Sequence, residues 1–302
     1  MRSKARDHHV VPQFYLRNFA VDPEKRKIAT LAKHGPFIVW SVRSIERTGF
    51  ERDFYVHMSN GAPVSVEEAI NKNVETPLSR TDTWAKIVSG RADALDSSDK
   101  PALYALIRHL EVRNPHYLAT AAELSRMAAD PNSEIPFTAE ERQQFAEMRA
   151  DPNFARAHFN YSAATAHWTE EAYAGAAIAI FRSPIPVRSS TTPAIAITAP
   201  ADNRLRLSLP GMKPYQHLVA LDQTTIASLV LGDFGEGFLN VEIEEEAARG
   251  FNRHYLAHFC YFPVVRHLIT GREGLVEEMQ WANYEVIEDT ARSIKFRKRA
   301  GF

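Results

Sequence analysis

The chain of 302 residues contains one cysteine, Cys260. No intramolecular disulfide can form and no cysteine cage for zinc can be built, which fits a reducing compartment. Cys260 stands among Phe259, Tyr261 and Phe262, where a thiol is expected to pack as a small hydrophobe and not to act as a nucleophile. Long apolar runs are also missing: none approaches the roughly 20 residues that span a bilayer. The start Met1-Arg2-Ser3-Lys4-Ala5-Arg6 leads into histidines, not into a hydrophobic signal core. A soluble, cytoplasmic protein with no membrane partner is the expectation. An excess of one charge is absent as well. The formal net charge of −1 removes the overall positive field that supports nonspecific nucleic-acid binding, so nucleic acid is a partner that net charge does not favour. There is no Gly-x-Gly-x-x-Gly, no Walker loop, no His-Glu-x-x-His and no Gly-x-Ser-x-Gly. Dinucleotide enzymes, ordinary nucleoside triphosphatases, the common zinc proteases and elbow-serine hydrolases therefore drop out.

What is present is concentrated at the start. His8-His9-Val10-Val11-Pro12-Gln13-Phe14-Tyr15-Leu16-Arg17-Asn18-Phe19 combines two imidazoles, a proline and an aromatic anchor. Chain ends are usually frayed and polar, so Phe14, Leu16 and Phe19 must be buried for this run to be ordered, and their burial would fix a histidine in place. His9, three residues before Pro12, is taken as the inward-facing one. Basic residues gather at both ends: Lys4 and Arg6, then Arg292, Lys295, Arg297, Lys298 and Arg299. They are read as solvating tails, or as a phosphate-gathering patch if the ends meet.

At 45% hydrophobic and 24% charged residues, the chain is composed like a globular protein, and one α+β domain over residues 1–302 is expected: an antiparallel β-sheet packed against a mainly helical middle and carboxy-terminal portion. Residues 28–31 and 37–42 read as a hairpin around His34-Gly35-Pro36. Residues 50–56 read as a third strand, whose alternation would place Glu51, Asp53 and Tyr55 on one face. From Val64 the period changes: Val66, Ile70, Val74 and Leu78 recur every four residues and predict an amphipathic helix. A second helix follows Pro101, with Leu103, Leu106, Ile107 and Leu110 as its stripe and Arg113 continuing it. A guanidinium on an apolar face needs a carboxylate or a phosphate, since leaving it unpaired would cost several kcal/mol. The polar stretch 129–156, with Pro131, Pro136 and Pro152, reads as a loop or hinge insertion with helical pieces. Strands are expected at 174–181, 194–198, 204–209 and 217–221, and helices from Ile226 onward, 241–259 the strongest.

The opening motif resembles the hallmark of a bacterial family known as domain of unknown function four-two-three-eight. Other stretches are similar to that family in order: the acidic strand Glu51 to Tyr55, Glu68 and Glu75 on a helix, Arg113-Asn114-Pro115 at a helix end, and Asn240 ahead of Ala247-Ala248-Arg249. Where the family usually carries Ser-Asp-Asn-Pro, this chain has Ser190-Thr191-Thr192-Pro193, so an aspartate that serves the chemistry would be missing here. The resemblance supplies positions and leaves the reaction open.

His9, Glu51 and Asp53 make a candidate site for a divalent metal, Mg²⁺, Mn²⁺ or Zn²⁺, or for general acid–base work, with Arg113 steadying a phosphate. That set suits a metal-dependent nuclease or phosphodiesterase, with a toxin or phage-defence role as the biological setting. The competing reading is a noncatalytic ligand- or protein-binding protein in which Glu51 or Asp53 pairs with Arg113, His9 donates to a backbone carbonyl, and the histidine motif locks the arm to the core. A third possibility is a HEPN-like, metal-independent ribonuclease: Arg253 and His258 fit its Arg-x4-His pattern and are expected to share a helix face.

Overall fold

The computed structural model describes residues 7–115, 126–130, 137–165, 173, 175–197, 216–231 and 237–299. In chain order these form strand β1 (Asp7–His9), the short helix α1 (Gln13–Leu16), β2 (Lys27–His34), β3 (Phe37–Ser44), β4 (Phe50–Arg52), β5 (Val56–Ser59) and β6 (Ala62–Ser65). Then come a helix over 67–79, α2, followed by α3 (Asp82–Val88), α4 (Lys100–Val112), α5 (Ala139–Ala150) and α6 (Pro152–Thr165). The remainder is β7 (Ala176–Arg182), β8 (Ser189–Ser190), β9 (Ile195–Ile197), β10 (Gln216–Ala220), β11 (Thr225–Leu231), β12 (Phe238–Glu242), α7 (Glu245–Tyr261), β13 (His267–Ile269), α8 (Leu275–Trp281), β14 (Tyr284–Asp289) and β15 (Ser293–Lys298). The architecture is α+β.

Two larger sheets carry the fold. One has six strands in the order β14-β15-β3-β2-β13-β8, the other five in the order β12-β7-β11-β10-β9. Neighbours are antiparallel except β12 with β7. The β2–β3 hairpin forms where expected, its turn made by Gly35 with φ of 58°, a left-handed angle that glycine adopts freely. Helix α4 packs on β7 and β11 of the five-stranded sheet, and α7 packs on β8 and β13 of the six-stranded one. A single apolar cluster runs through both, from Leu16, Ile28 and Leu31 to Ile180, Ile226 and Phe259.

Two expectations are corrected. Residues 225–231 are a strand in the middle of a sheet, not the start of a helix: the run Thr-Ile-Ala-Ser-Leu-Val-Leu is mostly apolar on a short span, where periodicity alone cannot separate a doubly covered strand from a helix. The carboxy-terminal portion is correspondingly less helical than expected, since β13, β14 and β15 complete the larger sheet. Within 129–156, expected as a loop with helical pieces, one such piece is the helix over 139–150, capped by Thr138 and Glu141, each bonding the other's backbone amide. The expected strand at 204–209 lies outside the described residues.

The amino-terminal segment ties these layers together. Strand β1 pairs with β4, and the amides of Val10 and Val11 both donate to the carbonyl of Gly49, at 2.8 and 3.3 Å. Gly49 has φ of 67°, and a Cβ there would stand 3.4 Å from both Val11 and Thr191. Gly49→Ala is therefore expected to cost about 1–2 kcal/mol, mostly for the left-handed backbone. Chemical denaturation measures this, and an unchanged midpoint would refute it. Beyond the turn, the Tyr15 hydroxyl donates to the Ala220 carbonyl at 2.5 Å and meets Ser189 Oγ at 2.7 Å, while Asn18 Nδ2 donates to the Leu221 carbonyl at 3.0 Å. Phe19 and Leu16 are buried, as the sequence requires.

Candidate functional site

The site begins with a helix that is wound to an unusual period. In an α-helix, positions four apart drift by about 40° per step, so residues 66 and 78 would end about 120° apart. Residues 71–75 form a π-turn between Glu67–Ile70 and Thr76–Ser79, and one inserted residue takes back about 100° of that drift. Two adjacent stripes are thereby straightened. Ile70, Val74 and Leu78 enter the core, while Glu67, Asn71, Glu75 and Ser79 line one wall of a cleft of about 330 Å³. The facing wall comes from the opening motif: His9, Gln13, Phe14 and Arg17. Arg113, just past the end of α4, joins the two walls.

Arg113 is buried, with 2% of its surface exposed. Nε donates to the Tyr55 hydroxyl at 2.7 Å, Nη1 donates to Glu75 and to His109 Nε2 (3.1 Å), and Nη2 donates to the His9 carbonyl. Four of the five guanidinium N–H groups thus have acceptors. Its carbon also lies 5.3 Å from the centre of the Tyr55 ring. Burial works against the charged form of Arg113, but Tyr55 and Glu75 outweigh it and hold the pKa above the ordinary value. Burial pushes the Tyr55 hydroxyl up to about 12 despite the guanidinium beside it. His109, which accepts from an arginine that can only donate, is neutral with its proton on Nδ1. Burial first and the Arg113 charge second hold its pKa well down.

The two opening histidines divide their work contrary to expectation. His8 is the fully buried one. Its Nδ1 accepts the Tyr55 amide at 2.9 Å, and its ring stacks on Tyr55 at 5.7 Å. The proton must then sit on Nε2, which has no hydrogen bond and points at Glu67 Oε2 from 3.6 Å. His9 is half-buried and turns its ring to the cleft, where the Gln13 amide nitrogen lies 3.2 Å from Nε2. Burial lowers its pKa more than the hydrogen bond to the Glu46 carbonyl raises it.

Glu51 and Asp53 are not among the residues that line the cleft. In the β1–β4 ribbon Glu51 stands opposite His8 and Phe50 opposite His9, so His9 and Glu51 project to opposite faces. Glu51 reaches Arg266 at 3.4 Å. The expected third strand breaks after Arg52, and Asp53 occupies the following turn with φ of 53°, so the alternation that grouped Glu51, Asp53 and Tyr55 does not run that far. Arg113 takes Glu75 as its carboxylate in place of either. Among the described residues no group of three or more His, Cys, Asp or Glu side chains is placed to hold a metal ion.

A family model described as "Protein of unknown function (DUF4238)" matches residues 7–198. The chain belongs to the DUF4238 family. Comparison with curated proteins and with solved structures finds no match. Several positions singled out by the resemblance meet at the cleft of this DUF4238 protein: His9, Glu75 and Arg113 line it, and His8 and Tyr55 support it from behind. Glu68 is exposed, and Glu67 lines the wall instead. Asn240 is a clamp elsewhere, donating to the carbonyls of Ala92 and Leu95, each at 2.9 Å, and accepting from Arg182. The hydroxyls where this DUF4238 chain departs from Ser-Asp-Asn-Pro are all buried; Ser190 bonds the Thr192 carbonyl, and Thr192 lies 3.4 Å from His258.

Other expectations resolve by exposure. Arg253 is half-exposed and pairs with Glu246 at 3.0 Å, whereas His258 is buried. Five residues along a helix subtend about 140°, so the two do not share a face. Burial raises the Cys260 thiol to about 11, the direction that disfavours the thiolate nucleophile. Among the carboxy-terminal cations, Arg297 pairs with Glu285 at 2.6 Å and Lys295 lies over the Phe37 ring. Lys4 and Arg6 lie outside the described residues. Among the described residues no helix is long and apolar enough to cross a membrane.

Sequence reasoning did not find Glu67, Gln13, Arg17 or Asn71. The signal for three of the wall residues was the strict period of four at 66, 70, 74 and 78. Its neighbours at 67, 71 and 75 keep the same spacing, which only a π-turn can hold in line.

Proposed function

We propose that this DUF4238 protein is a noncatalytic binding protein that takes a small polar ligand in the cleft, with the histidine motif as the lock that builds one wall. The observation that carries this reading is how fully Arg113 is already engaged. Its charge is matched by Glu75, and four of its five N–H groups are taken by Glu75, Tyr55, His109 and the His9 carbonyl, so it organises the cleft and presents no open charge to a phosphate. A cleft of about 330 Å³ sits at the lower end of the range for small-molecule sites.

The test is a thermal-shift screen of the full chain against small polar metabolites at millimolar concentration. A ligand at 100 times its Kd stabilises by about 2.7 kcal/mol. Expected is at least one stabilising compound whose effect disappears in Ser79→Phe, which fills the cleft. Absence of any hit, or hits indifferent to that substitution, overturns the proposal.

A second reading has one observation in its favour: His9 shares the cleft with two carboxylates, Glu67 and Glu75. It is hydrolysis of a phosphodiester assisted by Mg²⁺, Mn²⁺ or Zn²⁺, in a toxin or phage-defence setting. Calorimetric titration with Mn²⁺ and Zn²⁺ decides it. Micromolar binding lost in His9→Ala, together with metal-dependent turnover of a nucleic-acid substrate, would replace the binding proposal with this one.

A further inference from the structure

The charges of the cleft narrow its ligand, and the narrowing rests on the binding reading above. Among the described residues, two acids, Glu67 and Glu75, and two bases, Arg17 and Arg113, line it. Glu75 and Arg113 neutralise one another. The other two have no such match among the described residues. The Glu67 carboxylate receives no hydrogen bond there. Its neighbour His8 Nε2, fully buried and without a partner, stops at 3.6 Å, beyond hydrogen-bond length. Arg17 has only the Gln13 carbonyl oxygen, at the outer limit of 3.5 Å, and no carboxylate. One open anion and one open cation thus share a cavity of about 330 Å³. A ligand with a single charge would satisfy one and leave the other exposed to it with the wrong sign.

We infer that the ligand is a small zwitterion, an α-amino acid or close analogue, whose ammonium meets Glu67 and whose carboxylate meets Arg17. His8 supports the ammonium end from behind. Its Nδ1 is committed to the Tyr55 amide, so the Nε2–H is the side turned toward the carboxylate, and at 3.6 Å it leaves the carboxylate's lone pairs to the ammonium. Asn71 and Gln13 also line the cleft and offer neutral amides, each able to donate and to accept. Phe14, set edge-on to Trp84 with ring centres 4.9 Å apart, is the one benzenoid ring lining the cleft among the described residues. A compact side chain with a polar end fits this lining better than a large apolar one.

Calorimetric titration of the full chain with L-alanine, L-serine and L-glutamine tests the inference, with propionate as the probe lacking the amine and L-alanine methyl ester as the probe lacking the carboxylate. Expected is binding of at least one amino acid, with a loss of tenfold or more for each of the two truncated probes. Glu67→Gln should abolish the preference for alanine over propionate, and Arg17→Gln the preference for alanine over its ester. Arg17→Lys should restore part of the latter. Both positions reach solvent, and unchanged circular dichroism and melting temperature will show that the variants fold. Propionate binding as tightly as alanine, or either preference surviving its substitution, overturns the inference. If other small polar compounds bind in a manner blocked by Ser79→Phe while no amino acid does, the zwitterion is wrong and the binding reading stands. If nothing binds, both fall.

Discussion

Arg113→Met is expected to lower the stability of the folded chain by about 3–5 kcal/mol, the cost of breaking a buried ion pair from one side. The substitution keeps most of the side-chain volume and removes every donor. Glu75 is left as a carboxylate without its cation, and the Tyr55 hydroxyl, His109 Nε2 and the His9 carbonyl lose their partner together. For a chain of this length the loss corresponds to a fall in Tm of roughly 10 °C. Arg113→Lys should recover only part of it, because an ammonium sends its donors from one point and cannot reach acceptors spread around a planar fork. Glu75→Gln added to Arg113→Met should recover some stability by removing the orphaned charge. Urea unfolding measures all three. A loss under about 1 kcal/mol for Arg113→Met would mean that the network is ornamental and that the arm is held by its apolar contacts alone.

The second large effect is acid sensitivity centred on His267. Its Nε2 accepts from Arg43 at 2.8 Å. Burial first, then the charges of Arg43, His34 and Arg266, carry its pKa down from 6.5 to about 3. In the unfolded chain the ring takes a proton near 6.5 and in the folded chain only near 3, so the unfolded state binds more protons between these values. Stability present at pH 7 is therefore lost as the pH falls below about 6.5. By pH 4.5 this one residue accounts for roughly 2–3 kcal/mol. Burial lowers the pKa of His9, His109, His217 and His254 in the same direction, so each adds to the fall. His267→Gln keeps an acceptor for Arg43 but cannot titrate. Its urea midpoint should decline less between pH 7 and 4.5 than that of the wild type. Parallel declines would show that His267 is not the main cause.

The class of fold and the importance of the opening motif are legible in the sequence because they rest on strong local signals. The hairpin around Gly35, the stripe of α4 and the demand for burial of Leu16 and Phe19 each follow from spacing alone. Arg113 is legible for the same reason, as a charge that interrupts an apolar face. What escapes is the partner. Nothing within reach of Arg113 in sequence says that its carboxylate is Glu75 and not Glu51 or Asp53, because that choice depends on where β4 ends and a turn begins. The inward histidine was misassigned for a related reason: the ribbon register, which sets His8 against Glu51 and His9 against Phe50, is a property of two strands about 40 residues apart. Strand β11 was lost to the ambiguity of a short apolar run. The π-turn lay open to view in the four-residue period, which is longer than an α-helix can keep straight over three turns.

The bonds of the opening segment also order events in time. Residues 8–19 leave the ribosome ahead of the groups that hold them: Gly49, Tyr55, Arg113, Ser189, Ala220 and Leu221 are strung over the next two hundred positions. At about 5–20 residues per second, this segment waits roughly 10 to 40 s for its last anchor. The opening motif thus gains its last anchors only once synthesis has passed Leu221, and a product truncated before Ala220 would carry the complete histidine motif with the Tyr15 hydroxyl and the Asn18 amide lacking those two carbonyls.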